Sequence, residues 1–171
     1  MDYTIRLATE DDTLGLSRLK YQMWEENYRG IYPEWKFEQY DEDEQQEKFN
    51  HLILDPNIQL FVVELDTKLI GYMSFGTPYR TFGDYQQEIG LLYLLRKYHH
   101  HGIGKELFML AKKAIKDKGY TEFFVSCNKY NQLGRTFYEK MGGVIIHEDL
   151  DDEDRSTVQV KFHFDIEADV I

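Results

Sequence analysis

The chain is 171 residues long and carries 31 Asp and Glu against 20 Lys and Arg, a formal charge of −11 at pH 7. That balance argues against nucleic acid as a primary partner, because phosphate contacts need a basic surface. A lone cysteine, Cys127, no zinc-like Cys/His spacing, no signal-peptide core and no apolar run of the roughly 18 residues a membrane span needs predict a soluble, cytoplasmic protein without metal.

Three prolines, Pro33, Pro56 and Pro78, and no linker or repeat interrupt the sequence, which reads as a single domain over 1–171. Tyr3 to Leu7 alternates as a strand, and Thr9-Glu10-Asp11-Asp12 supplies a cap and first-turn acids for a helix buried through Leu16, Leu19, Met23 and Trp24. The segment Asn27 to Pro33 breaks that helix, and a second is predicted over Asp41 to Leu54, stopped by Asp55-Pro56. Gln59 to Leu65 and Leu69 to Phe75 read as a hairpin about Asp66-Thr67-Lys68. Glu88 to Leu95, the longest apolar run, suits a central strand covered on both faces. Ile103, Leu107, Leu110, Ala111 and Ala114 then recur at helical spacing up to a stop at Gly119. A strand at Glu122 to Cys127, a helix from about Asn131 to Met141, and strands near Val144 to His147 and Thr157 to Phe164 complete the chain. An antiparallel first half followed by a βαβα unit predicts a mixed α/β sheet, α+β in character.

His99-His100-His101-Gly102-Ile103-Gly104-Lys105 lies between the central strand and the next helix. A glycine-rich turn into a helix N-terminus offers unpaired N–H groups to an anion, typically phosphate. It is neither a Walker loop, lacking G-K-[ST], nor a full dinucleotide fingerprint, since Leu107 replaces the third glycine. Taken alone, the loop is equally a tight turn that packs helix on strand. Three consecutive histidines do not converge on one ion in regular structure.

The run Glu88 to Lys105 resembles the central motif of the GNAT superfamily of acyl-CoA-dependent N-acyltransferases, a strand leading into [Gln/Arg]-x-x-Gly-x-[Gly/Ala]. Asn131-Gln132-Leu133-Gly134-Arg135-Thr136-Phe137-Tyr138-Glu139-Lys140-Met141-Gly142 is similar to the family's Asn-x-x-Ala-x-x-Phe-Tyr-Glu-Lys-x-Gly. The opening Ile5 to Asp12 and the hairpin closing on Ile70-Gly71-Tyr72 are also typical, so the resemblance covers nearly the whole chain. His99, Gly134 and Gly143 depart from the pattern, standing where Gln or Arg, Ala and Phe are usual.

The resemblance implies a mixed sheet of about seven strands flanked by about four helices, splayed where the cofactor lies. It implies an acetyl-CoA-dependent N-acetyltransferase in which a primary amine, such as a small cationic polyamine, attacks directly in a ternary complex. Such a transfer must deprotonate the amine, stabilise an oxyanion and protonate the leaving thiolate. Glu88, opening the central strand, holds the family's base position and Tyr138 its acid position, rotated off the side shared by Phe137 and Met141. The Leu94 N–H is the oxyanion donor, and the backbones of Leu92 and Leu94 with Asn131 hold the pantetheine arm. His99, His100, His101, Gly102, Ile103, Gly104 and Lys105 hold the pyrophosphate. Tyr28 and Tyr32, with Glu88, border the acceptor.

Cys127, without a basic activator nearby in sequence, reads as a small buried residue and not as an acyl carrier. Two rival readings of the same resemblance are transfer to a protein N-terminus or lysine, and a catalytically weak module that binds CoA as a regulatory ligand. Val158 to Ile166 offers a strand edge for a homodimer. The acids gather at Asp41 to Glu47 and Glu148 to Asp154 and the bases around Arg96 to Lys118; the resemblance implies that the acids border the side where a cationic amine arrives, and a merely solubilising acid surface is the equal alternative.

Overall fold

The structure, a computed structural model, describes residues 1–166. In β1 (Thr4–Leu7), Arg6 pairs with Asp12 and with Glu64, both at 2.8 Å. Thr9 and Asp12 cap one another reciprocally across the 3-10 turn that leads into α1 (Thr13–Asn27). That helix buries Leu16, Leu19 and Met23 as expected, while Trp24 is only half-buried.

After Pro33 comes α2 (Glu34–Glu38), a five-residue helix absent from the sequence-based reading. The next helix, α3 (Glu42–Leu54), starts where the Asp41 carboxylate accepts the N–H groups of Asp43 and Glu44. It stops where Asp55, ahead of Pro56, turns extended. Strands β2 (Ile58–Leu65) and β3 (Lys68–Gly76) are joined by Asp66 and Thr67, both at positive φ as a two-residue primed turn requires.

The rest of the chain alternates as β4 (Glu88–Leu94), α4 (Ile103–Asp117), β5 (Glu122–Asn128), α5 (Gln132–Lys140), β6 (Val144–Glu148) and β7 (Gln159–Asp165). Among the described residues these seven strands form one sheet in the order β1-β2-β3-β4-β5-β7-β6. Only the β4–β5 pairing is parallel; the other five are antiparallel.

The order corrects one expectation. Because β7 runs between β5 and β6, both of its edges are taken and Val158 to Ile166 is no free edge. The outer strand on this side of the sheet is β6, whose Val144, Ile145 and Ile146 are exposed.

A Schellman closure ends α5: Gly142, at φ 97, donates to the Glu139 carbonyl and Gly143 donates to that of Tyr138. A Cβ at Gly143 would stand 2.7 Å from the Phe164 ring and 2.9 Å from the Tyr138 carbonyl. The space next to Gly143 is therefore held by Phe162 and Phe164. Those two rings join Phe108 and Phe123 in the core beneath α4 and α5. No helix among the described residues is long and apolar enough to cross a membrane.

Candidate active site

The site begins as a fault in the sheet. Between β3 and β4 the register slips at Gly90, where β4 carries one residue more than its partner, and such a bulge bends and twists the strand that bears it. On the other side, β4 pairs with β5 only at Glu88–Phe124 and Ile89–Val125. Beyond Ile89 the two strands part, and a cavity of about 400 Å³ opens between Gly90, Leu92, Tyr93 and Leu94 on one wall and Ser126, Cys127 and Asn128 on the other. For this reason Leu91 to Leu94 are half-buried and not covered on both faces, as the length of the apolar run suggested.

Backbone polarity along the opened edge follows from one hydrogen bond. Leu95 donates its N–H to the Ile70 carbonyl on β3 at 2.9 Å, so alternation turns the peptide groups of Leu94 and Leu92 away from β3 and into the gap. The Leu94 carbonyl accepts from the His99 ring at 2.8 Å, with Nε2 as donor.

Past His99 the chain passes through left-handed backbone at His100 (φ 65) and Gly102 (φ 81) before α4 starts. The first α4 bond of the ladder runs from the Glu106 N–H to the Gly102 carbonyl, which leaves the N–H groups of Ile103, Gly104 and Lys105 outside it. His99, His100, Gly102, Gly104 and Lys105 line the cavity. Two expected members do not. The His101 side chain is exposed, and that of Ile103 is fully buried in the core, because successive residues of so tight a turn point in different directions. Gly104 is where α5 comes close, with the Phe137 ring 3.5 Å from the position of a Cβ.

Asn131 caps α5 by accepting the Gly134 N–H at 3.0 Å, and its Nδ2 donates to the Tyr28 hydroxyl at 3.3 Å. A Cβ on Gly134 would stand 2.8 Å from that same Nδ2, so the glycine clears the space in which the amide sits. Tyr28 is buried, its hydroxyl lies 3.4 Å from that of Tyr93, and it lines the cavity. Tyr32 stacks on it at 4.2 Å but stands outside the lining.

Tyr138 lies opposite to expectation within its helix. It is the buried residue of α5, at 7% exposure, whereas Phe137 is half-buried, since the rings of Phe162 and Phe164 approach that side. Tyr138 nonetheless lines the cavity, and burial pushes its phenol well above its ordinary value, so it remains a proton donor across the neutral range.

Glu88 is buried and accepts the Tyr79 N–H at 3.2 Å. Burial raises its carboxyl above the usual range, opposed by the Tyr79 N–H and the Lys161 charge. It does not itself line the cavity; Ser126 does, and sequence reasoning passed over that residue. Burial also pushes the Cys127 thiol up to about 12, which keeps it un-ionised at neutral pH.

Around this site the charges are largely paired. In the β6–β7 loop, Asp149 accepts the Gln159 N–H, Asp151 meets Lys129 at 3.0 Å, and Asp154 meets Lys36 of α2 at 3.7 Å. On α3, Glu42 and Glu44 face Arg18 and Lys48. Arg96 is held by Glu26, and the lysines that line the cavity are Lys105 and Lys140. Glu122, His163 and Asp165 cluster elsewhere, with Glu122 3.9 Å from Nδ1 and Asp165 2.9 Å from Nε2 of the imidazole and the Tyr85 hydroxyl 2.6 Å from Nδ1.

Residues 21–143 match the model of the acetyltransferase (GNAT) family. A spermidine N(1)-acetyltransferase from Thermoplasma acidophilum is 30% identical over 163 residues, spanning 90% of this chain and 94% of its own. The crystal structure of PaiA N-acetyltransferase from the same organism, in complex with coenzyme A, superimposes with a TM-score of 0.78 at 25% identity, covering 96% of this chain and 99% of that one. The structure of YncA from Salmonella typhimurium with its cofactor acetyl-CoA shares the fold at a TM-score of 0.71 and 16% identity, over 97% of this chain and 95% of that one.

Proposed function

Since the chain belongs to the acetyltransferase (GNAT) family and is an N-acetyltransferase, we propose that it transfers the acetyl group of acetyl-CoA to a small cationic amine of the polyamine class. The observation that carries the reading is the gap between β4 and β5, roofed by a helix start with three N–H groups outside its ladder. A helix N-terminus of this kind suits the pyrophosphate, and free strand edges suit an extended amide-bearing arm. The name of the Thermoplasma relative and the charge of −11 support the acceptor class.

In this mechanism the N–H groups of Gly104 and Lys105 hold the pyrophosphate, helped by the Lys105 and Lys140 ammonium groups. Asn131 and the Leu92 and Leu94 peptide groups align the pantetheine arm. An amine with a pKa of about 10.4 costs roughly 4–5 kcal/mol to deprotonate at pH 7, and Glu88, its carboxyl raised by burial, is the base. The Leu94 N–H stabilises the charge that develops on the carbonyl oxygen, a contact worth roughly 3–4 kcal/mol in enzymes where one has been removed. As the C–S bond breaks, Tyr138 gives the departing sulfur its proton and recovers one from solvent. Tyr28 and Tyr32 wall the acceptor side.

The test is thiol release from acetyl-CoA with a panel of polyamines, amino acids, aminoglycosides and peptides. Turnover that prefers spermidine or spermine supports the reading. Preference for peptides would replace the acceptor class, and tight CoA binding without turnover on any acceptor would make the chain a CoA-responsive module.

A further inference from the structure

Glu88, the base in the mechanism above, stands outside the cavity lining, whereas Ser126 of the neighbouring β5 belongs to it. Glu88 lies opposite Phe124 in the parallel ladder, and Ser126 lies opposite Lys161 in the antiparallel one. Side chains two apart on a strand share a face, so Glu88, Ser126 and Lys161 form a row across three neighbouring strands. Lys161 Nζ is 2.8 Å from Ser126 Oγ. An ammonium has no acceptor, so the serine oxygen must accept at that contact and its own proton is left for another partner. The carboxylate in that row is Glu88, whose ionised form the Ser126 hydroxyl favours. The chain of donors thus has a fixed sense, from Lys161 through Ser126 to Glu88, and its middle member faces the cavity.

The Lys161 ammonium is itself pinned, 3.4 Å from Gln159 Oε1 and over the rings of Phe82 and Phe124 at 5.2 and 5.5 Å. The charged and titratable groups around this row are Asp149 of the β6–β7 loop, Arg80 of the β3–β4 loop and His147 of β6, which lies opposite Lys161 and meets Asp149 at 2.8 Å; from the other face of the sheet, Tyr138 of α5 feels the Glu88 charge.

We propose that Ser126 relays the proton of the attacking amine to Glu88, and that Lys161 is the positioning residue that fixes the direction of the relay. The proposal rests on Glu88 being the base. In the step, the amine proton passes to Ser126 Oγ as the serine proton passes to a Glu88 oxygen. The freed nitrogen lone pair forms the bond to the acyl carbon, the sulfur leaves with the C–S pair and takes the Tyr138 proton, the second proton of the nitrogen passes to solvent as the amide forms, and Glu88 later returns its own proton to solvent.

The experiment is the pH profile of kcat and kcat/KM with acetyl-CoA and spermidine, or with the best acceptor of the panel, for wild type, E88Q, S126A, S126T, K161M and K161R. S126A is expected to lower kcat on the order of 10–100-fold with the KM for acetyl-CoA unchanged, and S126T to restore most of it. K161M, which removes the cation that favours ionised Glu88, is expected to move the acidic limb to higher pH, whereas K161R leaves it in place. A proton inventory in mixed H2O and D2O is expected to curve in wild type, where two protons move together, and to become linear in S126A. Wild-type kcat and a curved inventory in S126A, with E88Q still impaired, would overturn the relay alone. An E88Q profile that keeps its acidic limb and rate would overturn the base assignment on which the relay rests.

Discussion

The side-chain amide of Asn131 reaches Tyr28, a residue 103 positions earlier, with Nδ2 donating to the tyrosine hydroxyl at 3.3 Å. One amide therefore both caps α5 and ties that helix to the end of α1 across the mouth of the gap. The two duties separate by substitution. Asn131→Asp keeps the cap and loses the donor, so it is expected to hold its thermal stability while the KM for acetyl-CoA rises several-fold. Asn131→Ala loses both, at about 1 kcal/mol for the cap, or roughly 2–4 °C in Tm. Equal KM values for wild type and Asn131→Asp would remove Asn131 from the binding of the pantetheine arm.

Glu88 makes stability and activity oppose one another. Its carboxyl is raised in the folded state by burial, so the native protein holds that proton more tightly than the unfolded chain does. The stability contribution of this group is consequently lost as pH rises from the unfolded value near 4.5 through the raised folded value. Glu88→Gln is expected to raise Tm at pH 7, to leave it unchanged below about pH 4, where the glutamate is neutral in both states, and to lower turnover. Calorimetry at the two pH values checks the sign, and an equal Tm at pH 7 would contradict it.

Cys127 lines the same cavity yet is poorly placed to act as a nucleophile, its thiol pushed up to about 12 by burial. Incubation with acetyl-CoA in the absence of amine is expected to leave the intact mass of the protein unchanged, and Cys127→Ala to retain turnover. A stable acetyl adduct on Cys127 would require a two-step route.

Gly143 has no room for a side chain. Its alanine variant must displace the Phe164 ring or stretch the closure of α5, an overpacking cost of about 1–3 kcal/mol and a Tm lower by roughly 2–12 °C. Gly134→Ala, crowding the Asn131 amide instead, is expected to weaken acetyl-CoA binding more than it lowers Tm. The two variants compared by thermal melts and KM separate packing from binding.

What the sequence made legible was local. Asp41, Pro56, Gly119 and Gly142 mark helix ends at the residues where the helices begin or stop, because caps and breakers act within one turn. The hairpin at Asp66-Thr67 and the glycine loop before α4 are read in the same way. What escaped depends on partners far along the chain. The burial of Tyr138 is decided by Phe162 and Phe164, the place of β7 inside the sheet by pairing with β5, and the row at Ser126 by Lys161, 35 positions later. His101 and Ile103 were assigned to the site by belonging to the loop, but a side chain's direction in a tight turn follows from φ and ψ, which composition does not report. The helix α2 is too short to show a period.

The two rungs that join β4 to β5 have a mechanical meaning. They are the seam between a four-stranded half, β1 to β4, and a three-stranded half, β5, β7 and β6, and beyond them the halves face each other like the jaws of a clamp. A seam of two rungs resists bending weakly, so the empty protein should breathe about Glu88 and Ile89. Amides of Leu92 and Leu94 are expected to exchange with solvent faster than those of β3. A ligand laid between the jaws then serves as a splint, supplying the missing rungs, and the catalyst becomes stiffest at the moment its co-substrate is in place.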